Sequence, residues 1–189
     1  MGNEFESEVI IMAQLKMYWK NDGTELPRLS LPAGITVQSL PEIPDGLGVW
    51  QDVIRYMSKN FDTDTSGDYY ERSMLQQANY NENMCYIFFV EGAPAATITV
   101  LCDNTAKVGR IHMVACKPDF RGRGLGNLMM AKAMTVVKEA GMETCALVTD
   151  DWRIPAIKTY LKVGFAPDLD SEADYKARWD AIFALIQGK

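Results

Sequence analysis

Apolar and polar residues change their period along this chain, and the changes divide it into elements. Ile35 to Leu40 (I-T-V-Q-S-L) alternates and predicts the first strand of a core. From Val49 to Phe61, the apolar residues Trp50, Val53, Ile54, Met57 and Phe61 follow the i, i+3, i+4, i+7 spacing of an amphipathic helix. An acidic, turn-rich stretch (Asp62 to Asp68) separates it from a second helix, expected from about Tyr69 to Ala78. After a polar break at Asn79 to Asn83, Met84 to Val90 and Ala95 to Cys102 read as strands joined by the hairpin-like Glu91-Gly92-Ala93-Pro94. Lys107 to Cys116 is a fourth strand. Strict alternation places Arg110, His112, Val114 and Cys116 on one face of it, the beginning of which meets water or a cleft. Ile111, Met113 and Ala115 then face an apolar layer.

A helix-forming run follows over Leu128 to Ala140, with Met130, Ala133, Met134 and Val137 apolar and Gly141 as a C-terminal stop. Thr144 to Thr149 is a buried-type strand, expected to run parallel to the fourth because a helix crosses between them. Pro155 suits the first turn of a further helix, Gly164 its end, and Phe165 onward a last strand. In Ser171 to Gln187, Ser171 and Asp174 resemble a capping box ahead of the stripe Tyr175, Trp179, Ile182, Phe183, Ile186. Before the first core strand, Val9 to Trp19 has strand composition, Asn21-Asp22-Gly23 signals a turn, and Pro27, Pro32 and Gly34 break the chain. The pattern divides the chain into an N-terminal strand or arm (1–30), an α/β domain with a mixed sheet (31–170) and a C-terminal helix (171–189). That helix docks on the domain or, alternatively, on a second copy as a homodimer contact.

Totals narrow the function. The 189 residues suffice for one well-buried domain, and 48% hydrophobic with 23% charged residues is ordinary for a globular protein. No run approaches the ~20 apolar residues of a membrane span, and the acidic start M-G-N-E-F-E-S-E lacks the basic region of a signal peptide. Cys85, Cys102, Cys116 and Cys145 sit singly in apolar runs, as free thiols of a reducing cytoplasm do. With His112 the only histidine, metal binding is disfavoured. A net charge of −6 argues against nucleic acid as partner. Against that charge, Lys117, Arg121, Arg123 and Lys132 crowd around one turn.

That turn is Asp119 to Asn127, D-F-R-G-R-G-L-G-N. Strand, glycine turn and helix together present bare N–H groups and the positive end of a helix dipole to an anion. Arg121 and Arg123 add planar donors suited to phosphate. No Lys-Ser or Lys-Thr follows the glycines, and Asn127 stands where a dinucleotide fingerprint has its third glycine.

What fits is R-x-x-G-x-G at Arg121, Gly124 and Gly126, just after a strand ending V-A-C-K-P. Here the chain resembles the GCN5-related N-acetyltransferases (GNAT), whose turn of this form holds the pyrophosphate of acetyl-coenzyme A. Further along, R-I-P-A-I-K-T-Y-L-K-V-G-F (Arg153 to Phe165) matches that family's N-x-x-A-x-x-x-Y-x-x-x-G-F at Ala156, Tyr160, Gly164 and Phe165. Arg153 stands where Asn is usual. The resemblance covers roughly Ile35 to Leu169 and implies a mixed, mostly antiparallel central sheet flanked by helices.

It also implies acetyl-CoA as acyl donor and a primary amine of a small molecule or peptide as acceptor, with direct transfer in a ternary complex. Cofactor contacts would come from Arg121, Gly122, Arg123, Gly124, Leu125, Gly126 and Asn127, and from the backbone of Val114, Ala115 and Cys116. Arg153 is carried over in place of the usual Asn, with a phosphate, Asp150 or Asp151 as possible partners. His112 is the candidate base, since relatives often carry Glu or His at this part of the fourth strand, and Tyr160 the candidate proton donor to the departing thiolate. A bulge, common in that strand in the family, would change the face assignment above. Asp62, Asp64 and Asp68 would attract a cationic amine, or form a solvated loop. A cofactor-binding module without turnover, and an unrelated nucleotide-binding domain, remain open alternatives.

Overall fold

The computed structural model describes residues 13–58, 60, 63 and 65–188. Their elements are β1 (Leu15–Lys20), β2 (Ile35–Ser39), α1 (Gly46–Ile54), α2 (Gly67–Tyr70, continued by a π turn at Glu71–Leu75), β3 (Cys85–Val90), β4 (Ala93–Asp103), β5 (Val108–Cys116), α3 (Leu125–Glu139), β6 (Thr144–Thr149), α4 (Ile154–Val163), β7 (Ala166–Pro167) and α5 (Tyr175–Gln187). The strands form one sheet in the order β2-β3-β4-β5-β6-β1-β7. Every neighbouring pair is antiparallel except β5 and β6, which are parallel across the crossover helix α3. This is the mixed sheet that the sequence pattern implies, and its mostly antiparallel pairing is what the family resemblance implies.

Strand composition follows what covers each strand. β4 is an almost uninterrupted apolar run because both of its faces are covered, by α3 on one side and α1 on the other. β1 instead alternates. Leu15, Met17 and Trp19 are buried against the helices, while Lys16, Tyr18 and Lys20 point outward. The stretch read as a strand or arm thus contributes an interior strand, paired with β6 from Leu15↔Thr149 to Lys20↔Thr144 and with β7 on its other edge. Residues Val9 to Met12 of that stretch lie outside the described residues.

Two apolar layers flank the sheet. The larger lies under α3, α4 and α5, and the smaller under α1 and α2, where Trp50 stacks with Tyr69 and meets Tyr70 edge-on. α5 buries Tyr175, Trp179 and Ile182 and half-buries Phe183 and Ile186, so its stripe is spent on the chain's own core. No helix among the described residues is long and apolar enough to cross a membrane.

Some boundaries depart from the periodicity. α1 starts and ends early, at Gly46–Ile54, and Met57 lies beyond its last turn. α3 begins at Leu125 rather than Leu128, so Gly126 and Asn127 belong to its first turn. The expected capping box at α5 does not form: Asp174 is the N-cap but its carboxylate accepts from Arg178 rather than from a backbone amide, and the Ser171 hydroxyl goes to Asp168 instead. Asp168 also accepts the amides of Asp170 and Ser171, closing a local turn that outcompetes the cap. Because Trp179 sits at 0% exposure in the main core, Trp179→Ala should cost about 3–5 kcal/mol of stability. A denaturation midpoint close to that of the parent would show that α5 merely rests on the surface.

Candidate active site

The site begins where the sheet comes apart. β5 and β6 pair only at Val108↔Thr144, Gly109↔Cys145 and Arg110↔Ala146. Beyond Arg110 the two strands diverge, as parallel strands do at the carboxyl end of an α/β crevice. β5 stays bonded to β4 to its end, and β6 to β1, so neither strand loses its second edge.

Within the diverging part of β5, Met113 adopts φ 51°, a left-handed conformation that costs a non-glycine residue energy unless its surroundings enforce it. Here it forms a bulge. Thr99 pairs with His112 and Thr97 with Ala115, so Met113 and Val114 together face one residue of β4. Strict alternation is therefore wrong past His112. Met113 and Ala115 turn to the α1/α2 layer, and Val114 and Cys116 turn with Ile111 to the main core.

The opened strands bound a cleft of about 660 Å³. One wall holds Val114, Ala115, Cys116, Phe120, Arg121, Gly122, Gly124, Leu125, Gly126 and Asn127. The other holds Trp152, Arg153, Pro155, Ala156, Thr159 and Tyr160, and Tyr56 and Met57 also line it. Eleven of the thirteen residues expected from the sequence divide this way; Arg123 and His112 do not. Arg123 lies over the Phe120 ring at 5.5 Å and His112 lies on the α2 side of the bulge; neither belongs to the lining.

The glycine turn is built to leave donors unused. Gly122 (φ 74°) and Gly124 (φ 78°) both take left-handed conformations that favour glycine. A side-chain carbon at either position would meet nothing within 4 Å, so backbone conformation rather than crowding explains these residues. Pro118–Phe120 forms a 3-10 turn whose bonds end with Arg121 N–H to the Pro118 carbonyl. The next intrachain bonds are Asn127 N–H and Leu128 N–H to the Gly124 carbonyl. Between them, the amides of Gly122 to Gly126 bond no protein group among the described residues. They stand at the uncapped amino end of α3, where the helix dipole is positive.

Two guanidinium groups join the walls. Arg121 donates through Nε to the Cys116 carbonyl at 3.1 Å and through Nη2 to the Tyr56 carbonyl at 3.4 Å. Arg153 donates through Nη2 to the Met57 carbonyl at 3.1 Å. The segment following α1 thus gives adjacent carbonyls to cations from opposite sides of the cleft. Arg153 also forms an ion pair with Asp150 (Nε···Oδ2 2.9 Å) and lies over the Trp152 ring at 4.8 Å. Asp151 is occupied elsewhere, by Arg178 of α5.

Tyr160 lines the cleft at 6% exposure, and its hydroxyl bonds no protein group among the described residues. Burial pushes its pKa up to about 12, opposed by the Arg153 charge. Burial also raises the Cys116 thiol, with the Arg121 charge opposing. His112 Nε2 lies 2.7 Å from the Ser73 carbonyl in the π turn after α2, which makes Nε2 the N–H donor and leaves Nδ1 unprotonated. Its pKa is lowered, mainly by burial, with the Ser73 contact opposing and Arg110 assisting. Arg110 reaches just past that turn, donating to Gln77 Oε1 at 2.6 Å. Asp62 and Asp64 lie outside the described residues, whereas Asp68 is exposed in α2. No group of His, Cys, Asp or Glu suited to a metal ion occurs among the described residues.

Sequence reading missed Tyr56 and Met57, whose backbone role carries no side-chain signature, and Trp152 beside Arg153. It also missed the ion pair of Lys117 with Asp52, which ties the end of β5 to α1.

The family model described as "Acetyltransferase (GNAT) family" matches residues 50–165, and the chain belongs to that family. A mycothiol acetyltransferase of Nocardia farcinica is 35% identical over 68 residues, 36% of this chain and 22% of that protein. A GCN5-related N-acetyltransferase from Sphaerobacter thermophilus shares the fold with a TM-score of 0.63 at 16% identity, over 82% of this chain and 48% of that one. N-acetylglutamate synthase from Neisseria gonorrhoeae, solved with coenzyme A and N-acetyl-glutamate, does so with a TM-score of 0.56 at 14% identity, over 80% and 33%. The chain thus spans less than half the length of each of these proteins.

Fastening β5 to the π turn makes His112 a stability element with a pH signature. At pH 8, His112→Ala should be about 1–2 kcal/mol less stable, from loss of the Ser73 bond. Because the folded pKa lies below the ordinary 6.5, the unfolded chain takes up the proton first as pH falls. The parent should therefore lose stability below pH 6.5, and its margin over the variant should narrow. A margin that stays constant between pH 8 and pH 5 would show that the imidazole is not held neutral by the fold.

Proposed function

We propose that this chain is an acetyl-CoA-dependent N-acetyltransferase, moving an acetyl group to a primary amine of a small molecule or peptide by direct transfer in a ternary complex. The observation that carries this reading is the row of amides from Gly122 to Gly126, unbonded among the described residues, at the amino end of α3 in the wall of a cleft that Tyr160 also lines. Amides, dipole and the Arg121 guanidinium suit the diphosphate, and the open edge of β5 at Val114 to Cys116 suits an extended amide-bearing arm. An acidic chain of net charge −6 then holds its cofactor through a local positive field.

In the reaction the amine nitrogen bonds to the thioester carbon and the carbon–sulfur bond breaks. The oxyanion between these events is served by backbone N–H groups at the carboxyl end of β5, which need no reorganisation. Tyr160 gives its proton to the departing sulfur and regains one as the amine loses its own. Alkyl amines resemble Lys in pKa, ~10.4, and must shed a proton before attack. His112, with Nδ1 unprotonated and its pKa lowered, serves as the proton acceptor through water, since it stands outside the cleft lining. A thiol without a partner base makes Cys116 no nucleophile.

Acetyl-CoA should raise the melting temperature, by the equivalent of ~2.7 kcal/mol at a hundredfold excess over Kd, while ATP and NAD leave it unchanged. Arg121→Ala should weaken that shift. Free-thiol release over a panel of amines should reveal turnover, and Tyr160→Phe should lower kcat ~100-fold with little change in the KM for acetyl-CoA. Binding without thiol release for any amine would leave a cofactor-binding module. No shift with acetyl-CoA would remove the cofactor assignment altogether.

A further inference from the structure

Arg153 is a departure from its family's pattern, and its surroundings show a guanidinium held on several sides at once. The Asp150 carboxylate is 2.9 Å from Nε, the Met57 carbonyl accepts from Nη2, and the Trp152 ring lies beneath the group. Its Nη1 hydrogens bond no protein group among the described residues. Arg153 is the N-cap residue of α4, and Tyr160 lies seven positions on, close to two helical turns and hence on the same side. Both side chains line one cleft.

We propose that Arg153 is a positioning residue for Tyr160: anchored by Asp150, Trp152 and the Met57 carbonyl, it supplies the positive charge that steadies the phenolate formed when Tyr160 protonates the departing thiolate. The inference rests on the acyl-transfer reading above. In that step the carbon–sulfur bond breaks with its electron pair on sulfur, the phenolic proton moves to sulfur, and the charge left on the phenol oxygen sits in a buried place. A buried anion without a partner is costly, and a nearby fixed cation lowers that cost in the transition state without any reorganisation. The amine's surplus proton then restores the phenol. The Arg153 charge already acts on Tyr160 in the resting protein, opposing the rise in pKa that burial causes.

A double-mutant cycle on the full chain separates this role from packing and from cofactor binding. Arg153→Gln should lower kcat ~10-fold in the parent and less than ~2-fold in the Tyr160→Phe background, because a charge acting through the phenol has nothing left to act on. Arg153→Lys, which keeps the charge, should recover most of kcat even if it melts as low as Arg153→Gln. Equal losses in both backgrounds, or a loss confined to the KM for acetyl-CoA, would overturn the inference and leave the acyl-transfer reading standing. A Tyr160→Phe variant with normal kcat would remove both the proton donor and this role for Arg153.

Discussion

Everything at the site depends on β5 and β6 being able to part company after Arg110 and Ala146. Separating two strands exposes a row of backbone donors and acceptors on each, which is tolerable only if the other edge of each strand is already bonded. β4 secures β5 along its length. β6 is secured by β1, a strand from the far end of the chain that pairs with all of its residues from Thr144 to Thr149. α5 then locks β1 in place, since the Tyr175 hydroxyl donates to the Gln14 carbonyl and Arg178 reaches both the Ala13 carbonyl and Asp151. The two ends of the sequence therefore hold open a cleft whose lining comes from its middle.

Once the strands have parted, the chain spans the gap with charge. The carbonyls of Tyr56 and Met57 follow the end of α1, where helical carbonyls lack internal partners and cations are favoured. Arg121 comes to them from the glycine-turn wall and Arg153 from the α4 wall. The same two side chains that line the cleft thus also hold the segment that follows α1. A diphosphate entering beside Arg121 would share that guanidinium with the Tyr56 and Cys116 carbonyls. On the proposed function, cofactor and helix end would draw on one set of donors.

The parts of this arrangement that were legible in the sequence are those whose signal is local. The glycines from Gly122 to Gly126 mark a turn, and the apolar spacing from Leu128 marks a helix, though not its first turn at Leu125. Pro155 and Gly164 mark the two ends of α4 correctly because a missing N–H and a free φ are properties of single residues. Illegible parts depend on distant partners. Alternation along β5 breaks at Met113, a residue with no turn-forming character, because its register is imposed by β4. The periodic stripe from Trp50 to Met57 suggests a longer α1, yet the helix ends at Ile54 and arginines far along the chain bond the Tyr56 and Met57 carbonyls. The lone His112 reads as a base by residue type, but its fastening to Ser73 is visible only once α2 is placed over β5. Ser171 matches a capping pattern by spacing and still prefers Asp168, since a turn closing within a few residues forms at little loop-closure cost.

Arg153 shows how such a long-range placement can be affordable. A guanidinium taken partly out of water needs compensation, and its side chain is only 21% exposed. Asp150 supplies the opposite charge, and Gln14, from the strand-entry side, donates to the other oxygen of the same carboxylate at 3.0 Å. The carboxylate is thereby fixed between β1 and α4, and the cation it holds is fixed with it. An asparagine in this position would offer a hydrogen bond but no field. A held cation changes the chemistry of whatever lies two turns along the same helix, which is why the departure from the family's pattern bears more on Tyr160 than on the architecture around it.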